Sequence, residues 1–179
     1  MAITLNGSAG VTTNSGAVYD GISRGTAVAS TSGTSIDFTS IPSWVKKISV
    51  MLSGVSTSGT SITQIQLGSG SVTTTGYIGT VDSWSSTLNG TTASITSGLA
   101  LYRSAFGSAT NVLNGIATFT NLSSNNWVGT FTGSITTSAI VITLASTQIS
   151  LSGTLDRIRI TTVNGTDTFD AGSINILYE

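Results

Sequence analysis

Arg157-Ile158-Arg159-Ile160-Thr161-Thr162-Val163-Asn164-Gly165 is the stretch on which the fold turns. Ile158 and Ile160 point one way and the two arginines the other, the two-residue period of a strand with one face on a core and one in solvent. Asn164-Gly165 then predicts a turn, because Asn and Gly reach positive φ most easily. A last strand, Ile174-Asn175-Ile176-Leu177-Tyr178, closes the chain with Ile174 and Ile176 on the core side.

The same period recurs upstream. Over 45–52, Ile48, Val50 and Leu52 form a core face against Lys47, Ser49 and Met51. The single proline, Pro42, cannot donate to a ladder, so Ile41-Pro42-Ser43-Trp44 predicts a bend entering that strand, with Trp44 plugging the end of the core. Over 62–67, Ile65 and Leu67 alternate with Gln64 and Gln66, and the preceding Ser-Thr-Ser-Gly-Thr-Ser predicts a hairpin joining the two strands in a meander. Thr73 to Thr75, Tyr77 and Ile78 suggest a further strand, and 82–92 reads as a loop carrying Trp84. Leu99-Ala100-Leu101-Tyr102 is another apolar segment. Ala117 and Phe119 share one face of 115–121, Trp127 and Phe131 one face of 127–132, and Ser123-Ser124-Asn125-Asn126 joins the two as a hairpin. Ile140-Val141-Ile142-Thr143-Leu144 is a continuous run, which predicts a strand covered on both sides.

Many short strands punctuated by turns make an all-β fold, an antiparallel β-sandwich or jelly roll over residues 31–179. Residues 1–30 are small and Gly-interrupted, with apolar segments only at 3–5 and 27–29, and predict an extended N-terminal arm that docks on something else.

Composition narrows the function. The chain has 179 residues, room for one ordinary domain, yet only 7% are charged, so its surface must be made of hydroxyls, amides and glycine. Ser and Thr, roughly a third of the residues, favour strands and turns. Recurrent Val, Ile, Leu and aromatic residues and a mean hydropathy of +0.32 exclude a disordered linker. A net charge of −1 offers no basic face for nucleic acid. No segment approaches the roughly 20 apolar residues of a membrane helix, and the first residues lack the basic and apolar regions of a secretory signal. Synthesis in a cytoplasm is expected, and the four Asn-x-Ser/Thr sequons carry no meaning there.

His and Cys are both absent, which removes the usual general base, thiol nucleophile and transition-metal ligands. Seven carboxylates remain: Asp20, Asp37, Asp82, Asp156, Asp167, Asp170 and Glu179. Two of them could serve a glycosidase, but Asp37 points outwards from an alternating strand, Asp156 is placed as a cross-strand partner of the arginines, and Asp167 sits at a turn. Asp167 and Asp170 offer too few oxygens for Ca²⁺. Lys46, Lys47, Arg157 and Arg159 suit edge strands, where charge discourages stray pairing. No catalytic, metal or cofactor site is expected; Trp84 is a candidate ligand contact.

Two segments, Ile41-Pro42-Ser43-Trp44-Val45-Lys46-Lys47-Ile48 and the run from Leu155 to Ile176, resemble a recurring β-domain of tailed-bacteriophage tail-fibre and virion-surface proteins. The likeness covers about residues 30 to 179. Ile3-Thr4-Leu5-Asn6-Gly7-Ser8-Ala9-Gly10-Val11 is similar to the attachment segments of short phage fibre and decoration proteins. The resemblance implies a non-enzymatic virion protein on the outer surface of the particle. Its sandwich would be displayed outwards as a homotrimer, and Ile3, Leu5 and Val11 of the arm would fix it to the major capsid protein or a tail component. A capsid decoration (cement) or head-fibre protein fits the short chain; a tail-fibre protein recognising host surface glycans is the alternative. A polysaccharide depolymerase is the enzymatic competitor.

Overall fold

A computed structural model describes residues 4–6, 10–12, 18–19, 21–85, 93–136 and 140–179, the first three spans as backbone. The elements described are strands and one 3₁₀ turn, Ser104–Phe106. β1 (Thr4–Asn6), β2 (Gly10–Thr12) and β3 (Val18–Tyr19) form a sheet of their own. β4 (Ser23–Arg24), β5 (Val28–Ala29), β6 (Ser35–Thr39), β7 (Lys47–Thr57), β8 (Thr63–Ser69) and β9 (Ser71–Val72) follow. The chain continues through β10 (Ile78–Trp84), β11 (Ala93–Ile95), β12 (Leu99–Ala100) and β13 (Val112–Ser123). It ends with β14 (Asn126–Thr136), β15 (Ile140–Ser150), β16 (Arg157–Thr162) and β17 (Phe169–Tyr178).

Two antiparallel sheets form a β-sandwich. The large one runs β11-β10-β15-β14-β13-β7-β17-β4, with β5 also on β17; the small one runs β12-β8-β16-β6, with β9 on β8. Their inner faces share one core, in which Ile48, Val50 and Leu52 of β7 and Ile174 and Ile176 of β17 meet Ile158 and Ile160 of β16. Each such side chain contributes on the order of 1.5–3 kcal/mol by leaving water.

β13, β14 and β15 are consecutive and paired in order, β14 between the other two, and Phe119 lies opposite Gly129. The pairing explains that glycine: a Cβ there would sit 2.5 Å from the Phe119 ring. Gly172, at φ +94, stands at a bulge of β17 where a Cβ would lie 2.4 Å from the carbonyl oxygen of Gly54.

Several expectations change. β7 and β8 lie in different sheets, so residues 58–62 cross between layers instead of closing a hairpin. Likewise Asn164-Gly165 leads from the small sheet to the large one; the turn is closed by Gly165 N–H donating to the Thr162 carbonyl, and only Gly165 of the pair takes positive φ. β7 and β16 are interior strands, so Lys47, Arg157 and Arg159 are charges on a solvent face rather than on an edge. Trp44 does not plug the core: it is 46% exposed and tilts against Tyr178 at 5.8 Å, because the turn closed by Val45 N–H on the Pro42 carbonyl swings it outside. The arm is not extended to residue 30. β1, β2 and β3 pair as a meander, and β4 and β5 lie along β17, whose backbone groups on that side would otherwise lack partners.

Candidate functional site

The sandwich presents two outer faces that differ in kind. On the small sheet, Arg159 donates through Nε and Nη2 to the two carboxylate oxygens of Asp37, at 2.7 and 2.8 Å, from directly opposite positions on β16 and β6. Asp156 instead pairs with its neighbour Arg157 at 2.8 Å and accepts the Gly70 N–H, so the cross-strand partner is Asp37 and not Asp156. The Arg157 hydrogen bond holds the Asp156 carboxyl below the usual carboxylate range, and the same two pairs raise both arginines.

Beside these pairs is a polar groove of about 320 Å³, lined among others by Gln64, Gln66, Ser97, Arg159 and Asn164. Gln64 and Gln66 are buried although they face outwards, because Ser97 covers them: its hydroxyl donates to Gln64 Oε1 at 2.7 Å and its carbonyl accepts from Gln66 at 2.8 Å.

The large sheet's outer face carries rows of aligned side chains. One runs Thr80–Ser146–Thr130–Thr118–Ser49, all hydroxyls. The next runs Asp82–Leu144–Thr132–Ile116–Met51, and beyond it Trp84 stands directly opposite Ile142. Ile142 and Ile116 are 57% and 53% exposed. On the five strands from β10 to β7, Asp82 and Lys47 are the charged residues described.

The expected double cover of 140–144 is therefore wrong within the chain: Val141 and Thr143 are buried, whereas Ile140, Ile142 and Leu144 are exposed. Sequence parity says that the two faces of this run differ, and packing decides which one is covered. β15 continues to Ser150, and Val141, Thr143, Ala145, Thr147 and Ile149 all fall inwards on one alternation. Thr143 is held inside by polar contacts, accepting from Ser83 Oγ at 3.0 Å and lying 2.9 Å from the Leu101 carbonyl.

Trp84 is on this face, in β10 and not in a loop, at 39% exposure. Of the arm residues, Ile3 lies outside the described residues, while backbone pairing sets Leu5 opposite Val11 and Val11 opposite Tyr19. The described carboxylates all serve local structure: Asp167 accepts from Ser61 N–H and Asn164, Asp170 bonds Ser56, Asp82 accepts from Ser83 N–H, and Glu179 pairs with Lys47. Among the described residues no three acidic side chains gather as metal ligands.

Comparison with models of protein families, with curated proteins and with solved structures gave no match. Fold and surface together define a two-sheet antiparallel β protein with a separate N-terminal sheet, one charged and amide-lined face, and one face of hydroxyls and aliphatics.

Proposed function

We propose that this chain is a non-enzymatic structural protein of a tailed-bacteriophage virion, a capsid decoration or head-fibre protein. Its N-terminal segment docks on the particle and its sandwich is displayed from the outer surface as a trimer. The observation that carries the reading is the division of the described strands: β1, β2 and β3 make a sheet of their own, and β4 to β17 build the sandwich. A short separate module ahead of a sandwich suits attachment. The two segments that resemble phage proteins also meet in space, since the Ile41 N–H donates to the Asp156 carbonyl at 3.0 Å. Engagement of the described carboxylates in turns and ion pairs favours structure over hydrolysis.

Imaging of intact particles tests this. Density for the sandwich is expected at symmetry axes of the head; copies confined to the tail would transfer the protein to the second reading, a receptor-binding fibre. That alternative is favoured by the groove around Gln66, Arg159 and Asn164, whose amides and guanidinium suit sugar hydroxyls. Purified protein that neither binds host cells nor blocks infection would remove it.

A further inference from the structure

We infer that copies of this chain meet through the outer face of the large sheet, centred on Trp84, Ile142, Leu144, Ile116 and Met51. The inference rests on the identical-subunit part of the proposed function and assigns that contact to one face.

Three features of the face argue for a second copy as its occupant. The first is charge. Around a symmetry axis the same residues of every copy converge, so a charged patch centred there would meet its own sign. The small sheet carries Arg157, Arg159, Asp37 and Asp156 on its outer face, and burying them would cost their hydration. The large face has one acid and one base over five strands, and Lys47 is already paired with Glu179.

The second is chemistry. Exposed hydroxyls both donate and accept, so the row from Thr80 to Ser49 can satisfy an identical row, as a donor-only or acceptor-only surface could not. Next to it the aliphatic side chains adjoin: Ile140, Ile142 and Leu144 stand at successive outward positions of β15, Trp84 lies opposite Ile142, and Ile116 lies across Thr132 from Leu144. Aromatic anchors amid aliphatics are what the centres of protein interfaces are made of.

The third is size. Four of the five strands have eleven or twelve residues, about 37 Å, and five strands are about 24 Å across, giving a face of at most roughly 900 Å², close to what each partner buries in a standard stable interface. Self-association also gives the 140–144 run the second cover that its continuous apolar sequence calls for. Trp84 then lies in a subunit contact and is closed to glycans.

The experiment is sedimentation of the full-length protein over a hundredfold concentration range, comparing wild type, Ile142→Lys and, on the small-sheet face, Thr39→Lys. Both positions are exposed, and circular dichroism checks folding. The wild type is expected as an oligomer, Ile142→Lys as a folded 18.1 kDa monomer or at least tenfold weaker in association, and Thr39→Lys as wild type. An oligomeric wild type whose association Ile142→Lys leaves unchanged overturns the assigned face but leaves identical subunits standing. A wild type monomeric throughout overturns both. Should Ile142→Lys fail to fold, Thr130→Lys on the neighbouring hydroxyl row replaces it, with the same expectations.

Discussion

Tyr77 shows how one side chain can stand in for a strand. β12 covers β8 only at Ile65 and Gln64, and past its end the Leu67 N–H donates to the Tyr77 hydroxyl at 2.7 Å. Burial pushes the phenol up to about 12, with the Leu67 backbone pulling it partly back. An unfolded tyrosine ionises near 10, so the folded state binds the proton more tightly; this stability is complete below pH 10 and is lost as pH rises towards 12. Tyr77→Phe leaves a buried N–H without its acceptor and is expected to cost about 1–3 kcal/mol in urea unfolding. It should also flatten the fall in stability between pH 10 and 12. Asp156 carries the opposite sign. Its carboxyl is held low by Arg157, so its contribution is present above about pH 4 and lost as pH falls through the folded value. The pair is solvent-screened, and Asp156→Asn is expected to change stability at pH 7 by less than about 1 kcal/mol while removing part of the acid dependence.

At the scale of elements, β13, β14 and β15 are interior strands of the large sheet, and their inner face depends on unequal residues fitting together. Phe119 occupies the space over Gly129, and both are buried. Gly129→Ala would force the ring off its rotamer, and a loss of about 1–3 kcal/mol is expected from thermal or urea unfolding. A near-neutral result would mean that the β13–β14 pair can slide apart at that point. β15 is the element whose two faces have unlike fates: its inward side is fixed by the fold, while its outward Ile140, Ile142 and Leu144 are left for another surface.

For the whole molecule, the boundary between N-terminal segment and sandwich is open to direct test by truncation. Deleting residues 1–20 removes the separate meander, whereas deleting 1–30 also strips β4 and β5 from β17 and removes Ser30, which is fully buried and bonds the Ala171 carbonyl through its hydroxyl. The shorter deletion is expected to leave unfolding midpoints within a few degrees of the full chain and, on the proposed attachment role of that segment, to abolish incorporation into phage particles. The longer one is expected to lose at least about 2 kcal/mol, because buried backbone and hydroxyl groups lose partners. Equal stability of the two truncations would return residues 21–30 to the arm.

Sequence alone determined the all-β class and most of the core. Alternation is a local property, and Ile48, Val50, Leu52, Ile158, Ile160, Ile174 and Ile176 each sit in a strand whose parity is written in its neighbours. The partner of each strand is not local. Whether 58–62 turns back as a hairpin or crosses to the other sheet depends on the layer into which the flanking strands pack, and serine, threonine and glycine permit either. The tertiary structure therefore decided that β7 and β16 are interior, that Trp44 lies outside, and that Arg159 takes Asp37. It also decided that the apolar run at 140–144 keeps one side exposed, since period two says that its faces differ but only packing says which one is covered.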